Sequence, residues 1–311
     1  MIKKLNFQKK IILIAGPTAS GKSKLAISLA KKINGEIINA DSMQVYKEFS
    51  VLSSRPSEND LKKVKHYLYG ILSVKKYFST GEWLILAKKK INKCINKKKI
   101  PIIVGGTGLY FNAITKGISK IPQIDSDIRE NIRNLHRKIG QKRFYNRLIL
   151  IDPLSKNKIV ASDTQRTLRA YEVKIFTKKS LYEWISNTKS EFLNYDIRKI
   201  FINTPREDLL KNISKRTRTM FDNDCIKEVK NFLNLNIDKS LSANKIIGLR
   251  EIQSYLRGSI SLEEAVNLMN TKTRQYAKSQ NTWSRGHMTT WNKLYSKDFS
   301  ALLKKVLKEI S

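Results

Sequence analysis

GPTASGKS, residues 16–23, carries Gly16, Gly21, Lys22 and Ser23 at the spacing G-x-x-x-x-G-K-[ST]. A loop built from Gly16, Pro17, Thr18, Ala19, Ser20, Gly21, Lys22 and Ser23 offers a di- or triphosphate backbone N–H groups, a helix N-terminus and the Lys22 ammonium, with Ser23 placed to hold Mg2+. A kinase or hydrolase with this loop usually places a second acid after a later apolar strand. Here the strand IPIIV (100–104) runs instead into Gly105-Gly106-Thr107. The available carboxylate is Asp41 in ADSMQVY (40–46), and it should face the loop if both segments end strands of one sheet. On its own, Asp41 with Ser42 reads better as a turn cap than as a catalytic acid.

The elements that must position these groups are legible in the hydrophobic pattern. IILIAG (11–16) reads as a strand, KSKLAISLAKKI (22–33) as a helix stopped by Asn34-Gly35, EIINA (36–40) as a second strand, and residues 79–99 as a helix with a Ser79/Glu82 capping box. Strands alternating with helices predict a parallel sheet covered on both faces. After Pro122 the rhythm changes to consecutive amphipathic helices, DSDIRENIRNLHRKIG and SDTQRTLRAYEVKIF, until the strand KIFIN (199–203). A following helix is predicted with Thr204 as N-cap, Pro205 at its first position and Glu207 completing a capping box. A long helix from Ser261 to about Trp283, a short strand near MTTW and a last helix to Ile310 complete the chain. The expected architecture is an α/β domain with a P-loop NTPase-like parallel sheet, split over 1–121 and 198–311, with an all-helical insertion over 122–197.

Composition bounds the partners. Sixty-one Lys and Arg against 26 Asp and Glu give a formal charge of +35 over 311 residues. Such an excess points to a polyanion, with nucleic acid the natural candidate, although runs such as the lysines at 88–90 read as solvated faces. Cys94 and Cys225 are too few and too far apart for a disulfide framework or a zinc site, and read as thiols in a reducing compartment. His66, His136 and His287 do not cluster. The apolar run after the N-terminal lysines passes straight into the glycine-rich loop, so it reads as a first strand rather than a signal peptide, and a soluble cytoplasmic protein is expected.

Five blocks, GPTASGKS, NADSMQVYK, PIIVGGTGLYF, SDTQRTLRAYEV and TRQYAKSQNTWSRG, occur in the order and approximate spacing of the bacterial tRNA dimethylallyltransferase family, which the chain resembles over nearly its whole length. The resemblance implies a Mg2+-dependent transfer of a dimethylallyl group from dimethylallyl diphosphate to the exocyclic amine of adenosine 37, beside the tRNA anticodon. It implies that the loop holds the diphosphate, that Arg216 in RTRTM stabilises the leaving group, that Asp41 accepts the amine proton, and that Thr18 bonds the diphosphate or orients Asp41. For tRNA it implies Asp41, Ser42, Met43, Gln44, Thr107, Arg129, Gln165, Arg166, Arg169 and Arg250.

The long helix adds a basic row, Arg274, Lys278 and Arg285, within a fan of roughly 40°, suited to following a phosphate backbone. Its other stripe, Val266, Met269, Thr273, Tyr276, Ala277, Gln280 and Trp283, reads as core. The chain departs from the family at Ser279, at Asp224 where glycine is usual, and at SSRP (53–56), all expected to be peripheral; Leu249, where tyrosine is common, argues against base stacking at that position. A monomer is expected. The alternatives are a small-molecule kinase using ATP in the same loop, and a basic RNA-binding protein without catalysis.

Overall fold

The computed structural model describes residues 9–311, so the N-terminal reading before Lys9 lies outside the described residues. Six strands form one parallel sheet: β1 (Lys10–Ala15), β2 (Gly35–Asn39), β3 (His66–Tyr67), β4 (Ile100–Gly105), β5 (Asp196–Ile202) and β6 (Asn292–Leu294), in the spatial order β3-β2-β4-β1-β5-β6. The helices are α1 (Lys22–Ile33), α2 (Glu58–Lys63), α3 (Thr80–Asn96), α4 (Gly108–Thr115), α5 (Ser126–Ile151), α6 (Thr164–Thr177), α7 (Leu181–Ser186), α8 (Arg206–Asp222), α9 (Cys225–Leu233), α10 (Leu249–Leu256), α11 (Leu262–His287) and α12 (Phe299–Ile310). This is the P-loop NTPase-like α/β class expected from the sequence. None of the described helices is long and apolar enough to cross a membrane.

β1 is isoleucine-rich and buried along its whole length because both sheet faces are covered. It pairs with β4 through Ile12↔Ile102 and Ile14↔Val104 and with β5 through Ile12↔Arg198 and Ile14↔Ile200. On one face α1 packs Leu25, Ala26, Leu29 and Ile33 against Ile12, Ile14, Ile102 and Ile202, with Leu303, Val306 and Ile310 of α12 closing the same core. Asn34 ends α1 in the left-handed region at φ 57°, one of the few residues besides glycine that tolerates it. The Ser79/Glu82 capping box starts α3, and a Ser261/Glu264 box starts α11.

Two local expectations are corrected and a third is given its bounds. α8 begins at Arg206 with Pro205 as its cap and no capping side chain, so the Thr204/Glu207 box does not form; the Thr204 hydroxyl instead donates to the Ser20 carbonyl at 3.4 Å. The last strand lies at 292–294, after MTTW, where it pairs with Ile200–Ile202. β5 begins at Asp196, three residues before KIFIN. Asp224, at the position where the family usually carries glycine, has φ 62°, which explains that preference.

The chain divides into two compact units, 1–114 with 194–311, and 115–193. The second is helical. Phe144 and Leu148 of α5 pack with Ala170 and Tyr171 of α6, and the buried Asp152 accepts the hydroxyls of Ser155 and Ser180. Cys94 and Cys225 are free and buried, and burial pushes both thiols up to about 12. They are therefore inert as nucleophiles.

Candidate active site

Four strand ends deliver the site. The glycine-rich loop follows β1, Asp41 follows β2, Gly105-Gly106-Thr107 follows β4 and Thr204 follows β5, all at the carboxyl edge where open α/β sheets bind ligands. A polar cavity of about 230 Å³ is lined by Thr18 to Lys24, Asp41, Gln44, Ser53, Ser54, Gly105 and Arg216. Beside it lies a more apolar cavity of about 270 Å³, whose lining includes Met43, Leu52, Met220, Ile246, Ile247 and Met269. Thr18, Asp41, Ser53 and Arg216 line both cavities and form their shared wall.

The position of Asp41 is set from beneath. The fully buried Asn39 accepts from the Asp41 N–H at 2.8 Å and donates to the carbonyls of Asp41 and Leu68 at 3.0 Å. Trp83 in turn donates its indole N–H to the Asn39 carbonyl at 2.9 Å. Asp41 Oδ1 accepts the Met43 N–H at 2.9 Å. Gly105 has to be glycine, because a Cβ there would lie 2.1 Å from the Ala40 carbonyl oxygen. Thr107 Oγ1 accepts the Ser42 N–H at 2.9 Å, tying the ends of β2 and β4 together.

Arg216 reaches in from α8 and donates Nη1 to Thr18 Oγ1 at 2.7 Å. Burial lowers its pKa while Asp41 opposes the shift. Lys22 donates to the Pro17 carbonyl at 3.1 Å. Burial pulls its ammonium down to about 8, with Asp41 opposing the change and Arg216 adding to it. Two desolvated cations beside one carboxylate are an anion site in search of charge.

Gln280 is the largest surprise. It sits on the α11 stripe read as core, yet its Oε1 accepts the Thr18 N–H at 2.8 Å and its Nε2 donates to the Gly106 carbonyl at 2.9 Å. It thus fastens the phosphate loop to the segment bearing Thr107. Tyr276, from the same stripe, lines the apolar cavity and is exposed, and Trp283 is only half-buried against Gly108. Although Tyr276 is 36% exposed overall, desolvation first and the Asp41 charge second push its phenol up. Ser53 and Ser54 are also not peripheral. Gln44 donates to both of their carbonyls at 2.9 and 2.8 Å, and Glu228 holds the preceding turn by accepting the N–H groups of Val51 and Leu52, each at 2.8 Å.

The remaining candidates divide between the units. In the helical unit, Arg129 and Arg169 flank the buried Glu172 at 3.5 and 3.6 Å, while Arg166 pairs with Asp163 and Gln165 is exposed. Arg250, Arg274, Lys278 and Arg285 are exposed and line neither cavity.

The sequence model of the family described as IPP transferase matches residues 44–287. The chain belongs to that family. A tRNA dimethylallyltransferase of Pelagibacter ubique is 51% identical over 301 residues, covering 97% of this chain and 96% of its own length. One from Rickettsia massiliae is 40% identical over 307 residues, covering 97% and 85%. Among solved structures, the full-length tRNA isopentenylpyrophosphate transferase of Bacillus halodurans superposes with a TM-score of 0.70 at 30% identity, covering 97% of this chain and 96% of that one. A eukaryotic dimethylallyltransferase acting on tRNA gives 0.79 at 26% identity, with coverage of 89% and 70%. IPP transferase membership does not favour the kinase alternative.

Proposed function

We infer that this IPP transferase moves a dimethylallyl group from dimethylallyl diphosphate to the exocyclic amine of adenosine 37, next to the anticodon of tRNA, and releases diphosphate. The observation that carries the reading is the pair of cavities sharing a wall of Thr18, Asp41, Ser53 and Arg216: one is built for phosphate oxygens, the other for a hydrocarbon and a base. In the reaction the allylic C1–O bond breaks and its electron pair leaves on the diphosphate. The amine nitrogen forms the new bond to C1, and its proton passes to Asp41 and then to water.

Lys22, Arg216 and the loop N–H groups stabilise the charge gathering on the departing diphosphate. The exposed Ser23 side chain lines the same cavity as Asp41, so the residues fit a Mg2+ held by one hydroxyl and donor oxygens. When bound, that ion would supply further neutralisation of the leaving group. Among the described residues there is no acidic or histidine cluster that would hold a metal unaided. Ser42, Met43, Gln44 and Thr107 would meet the flipped base, and Arg129, Gln165, Arg166, Arg169, Arg250, Arg274, Lys278 and Arg285 would meet the anticodon stem-loop. A cytoplasmic monomer suits a tRNA substrate.

Purified protein incubated with isotopically labelled dimethylallyl diphosphate and unmodified tRNA should place the label on one adenosine without ATP, read by nucleoside mass analysis. Label left wholly in the donor, with phosphate moved from ATP to a small molecule instead, would overturn the assignment.

The Lys22 shift adds a pH dependence. Below about pH 8 Lys22 is charged in the free protein, and above it the proton is lost unless diphosphate restores it. Affinity for dimethylallyl diphosphate should therefore fall as pH rises through 8, by up to roughly tenfold per unit. Calorimetry at pH 9 in buffers of different ionisation enthalpy should show uptake of nearly one proton on binding, and little at pH 7. Absence of uptake at pH 9 would mean that Lys22 keeps its charge in the free site.

A further inference from the structure

The apolar cavity has a mouth and a floor. Tyr276, 36% exposed, and the exposed Lys245 stand at the open side with the half-buried Ser42 and Met43. Leu52, Met220, Ile246 and Met269 line its buried part and are at most 5% exposed. Gly248 touches two of these floor residues without lining the cavity: a Cβ placed on it would lie 2.7 Å from Leu52 Cδ2 and 3.1 Å from both Sδ and Cε of Met269. Its φ of 100° suits glycine. Leu52 and Met269 thus rest on bare backbone and have no room to withdraw.

This geometry orders the two substrates of the prenyl-transfer reading, on which the inference rests. The donor's phosphates are pinned in the loop, so C1 lies at the shared wall and the hydrocarbon tail extends from there. The acceptor base is tethered to a polynucleotide and has to enter by the mouth, which leaves the floor to the tail. An apolar cavity of about 150 Å³ takes up one benzene. The 270 Å³ available here therefore suits a five-carbon tail and an acceptor ring together, whereas a ten-carbon tail would fill the space the ring needs.

We propose that Leu52 and Met269, braced on Gly248, form the stop that limits the donor to a five-carbon chain. The backbone of Leu52 is held independently by the Glu228 carboxylate, so shortening its side chain deepens the floor without releasing the turn. Met269 reaches the same place from a helix.

The test compares dimethylallyl and geranyl diphosphate as donors to unmodified tRNA, for the wild type, Leu52→Ala, Met269→Ala and the milder Leu52→Val, which removes one carbon. The quantity read is the ratio of kcat/KM for geranyl over dimethylallyl donor. The wild type should strongly prefer the shorter donor. The ratio should rise at least about tenfold in each alanine variant that folds, and by less in Leu52→Val, in keeping with the discrimination that one or a few carbons provide in an apolar pocket. A wild type that uses both donors equally, or a ratio unmoved in every folded variant including Leu52→Val, overturns the stop. A wild type that transfers neither group overturns the prenyl-transfer reading itself, and the stop with it.

Discussion

Replacing Asp41 with Asn lowers kcat by about two to four orders of magnitude, the range a positioned proton acceptor contributes. The exocyclic amine of adenine donates its lone pair to the ring, so attack on C1 is slow unless the proton leaves as the bond forms. Among the described residues, Asp41 is the only carboxylate lining either cavity. Asn keeps the shape, and its amide oxygen can still accept the Met43 N–H that Asp41 Oδ1 accepts at 2.9 Å. The Asn39 contacts are made to the Asp41 backbone, so they survive the substitution. The loss should therefore appear in single-turnover rates at saturating substrates, while the Kd for tRNA changes by less than about fivefold, as expected when a group acts in the transition state. A single-turnover rate within threefold of wild type would remove Asp41 from the chemistry and leave it as a turn cap.

Much of this site is local in sequence, and that part was legible. The loop spacing, the strand before it and the Asn34 stop all lie within one β-loop-α unit, where short-range rules apply. Asp41 could be aimed at the loop because parallel strands end on one edge. What escaped depends on partners far along the chain. Gln280 and Tyr276 share a helical stripe with Met269, Thr273 and Ala277, and periodicity alone does not distinguish a side chain entering a core from one entering a cavity beside it. The Thr204 hydroxyl looked like a helix cap because its natural local partner is the next helix; in the fold it bonds instead to a carbonyl 184 residues earlier. Ser53 looked peripheral because nothing nearby announces that Glu228, on a helix 175 residues later, grips the turn before it. β6 is short and polar; the sequence placed a strand near it, and its bounds are fixed by its pairing with β5.

The same long-range ties link the two halves of the chemistry. Gln280 fixes Thr18 to Gly106, Thr107 fixes the Gly106 segment to Ser42, and Arg216 fixes Thr18 to α8. The diphosphate end and the acceptor end are therefore set at one distance before any substrate arrives. This is preorganisation in the sense that lowers a barrier: donors aimed at developing charge need not move as it develops. The same fixed cradle keeps Lys22 and Arg216 away from water, and this burial lowers the pKa of both cations.

Arg216→Lys tests that cradle most sharply and should lower kcat/KM for dimethylallyl transfer by about two to three orders of magnitude, the cost of removing one oriented donor from a charge-stabilising site. Arginine here donates one guanidinium nitrogen to Thr18 at 2.7 Å and has others left for the leaving group. Lysine is a single compact charge that cannot serve both partners. Placed against Lys22, it would also meet the burial that already pulls that neighbour down to about 8, so part of the population would carry no charge at all. The deficit should therefore shrink as pH falls below 8, where lysine regains its proton, whereas Arg216→Ala should show no such recovery and should respond instead to added guanidinium. A pH-independent loss of equal size in both variants would mean that Arg216 acts by shape, through Thr18, rather than by charge on the diphosphate.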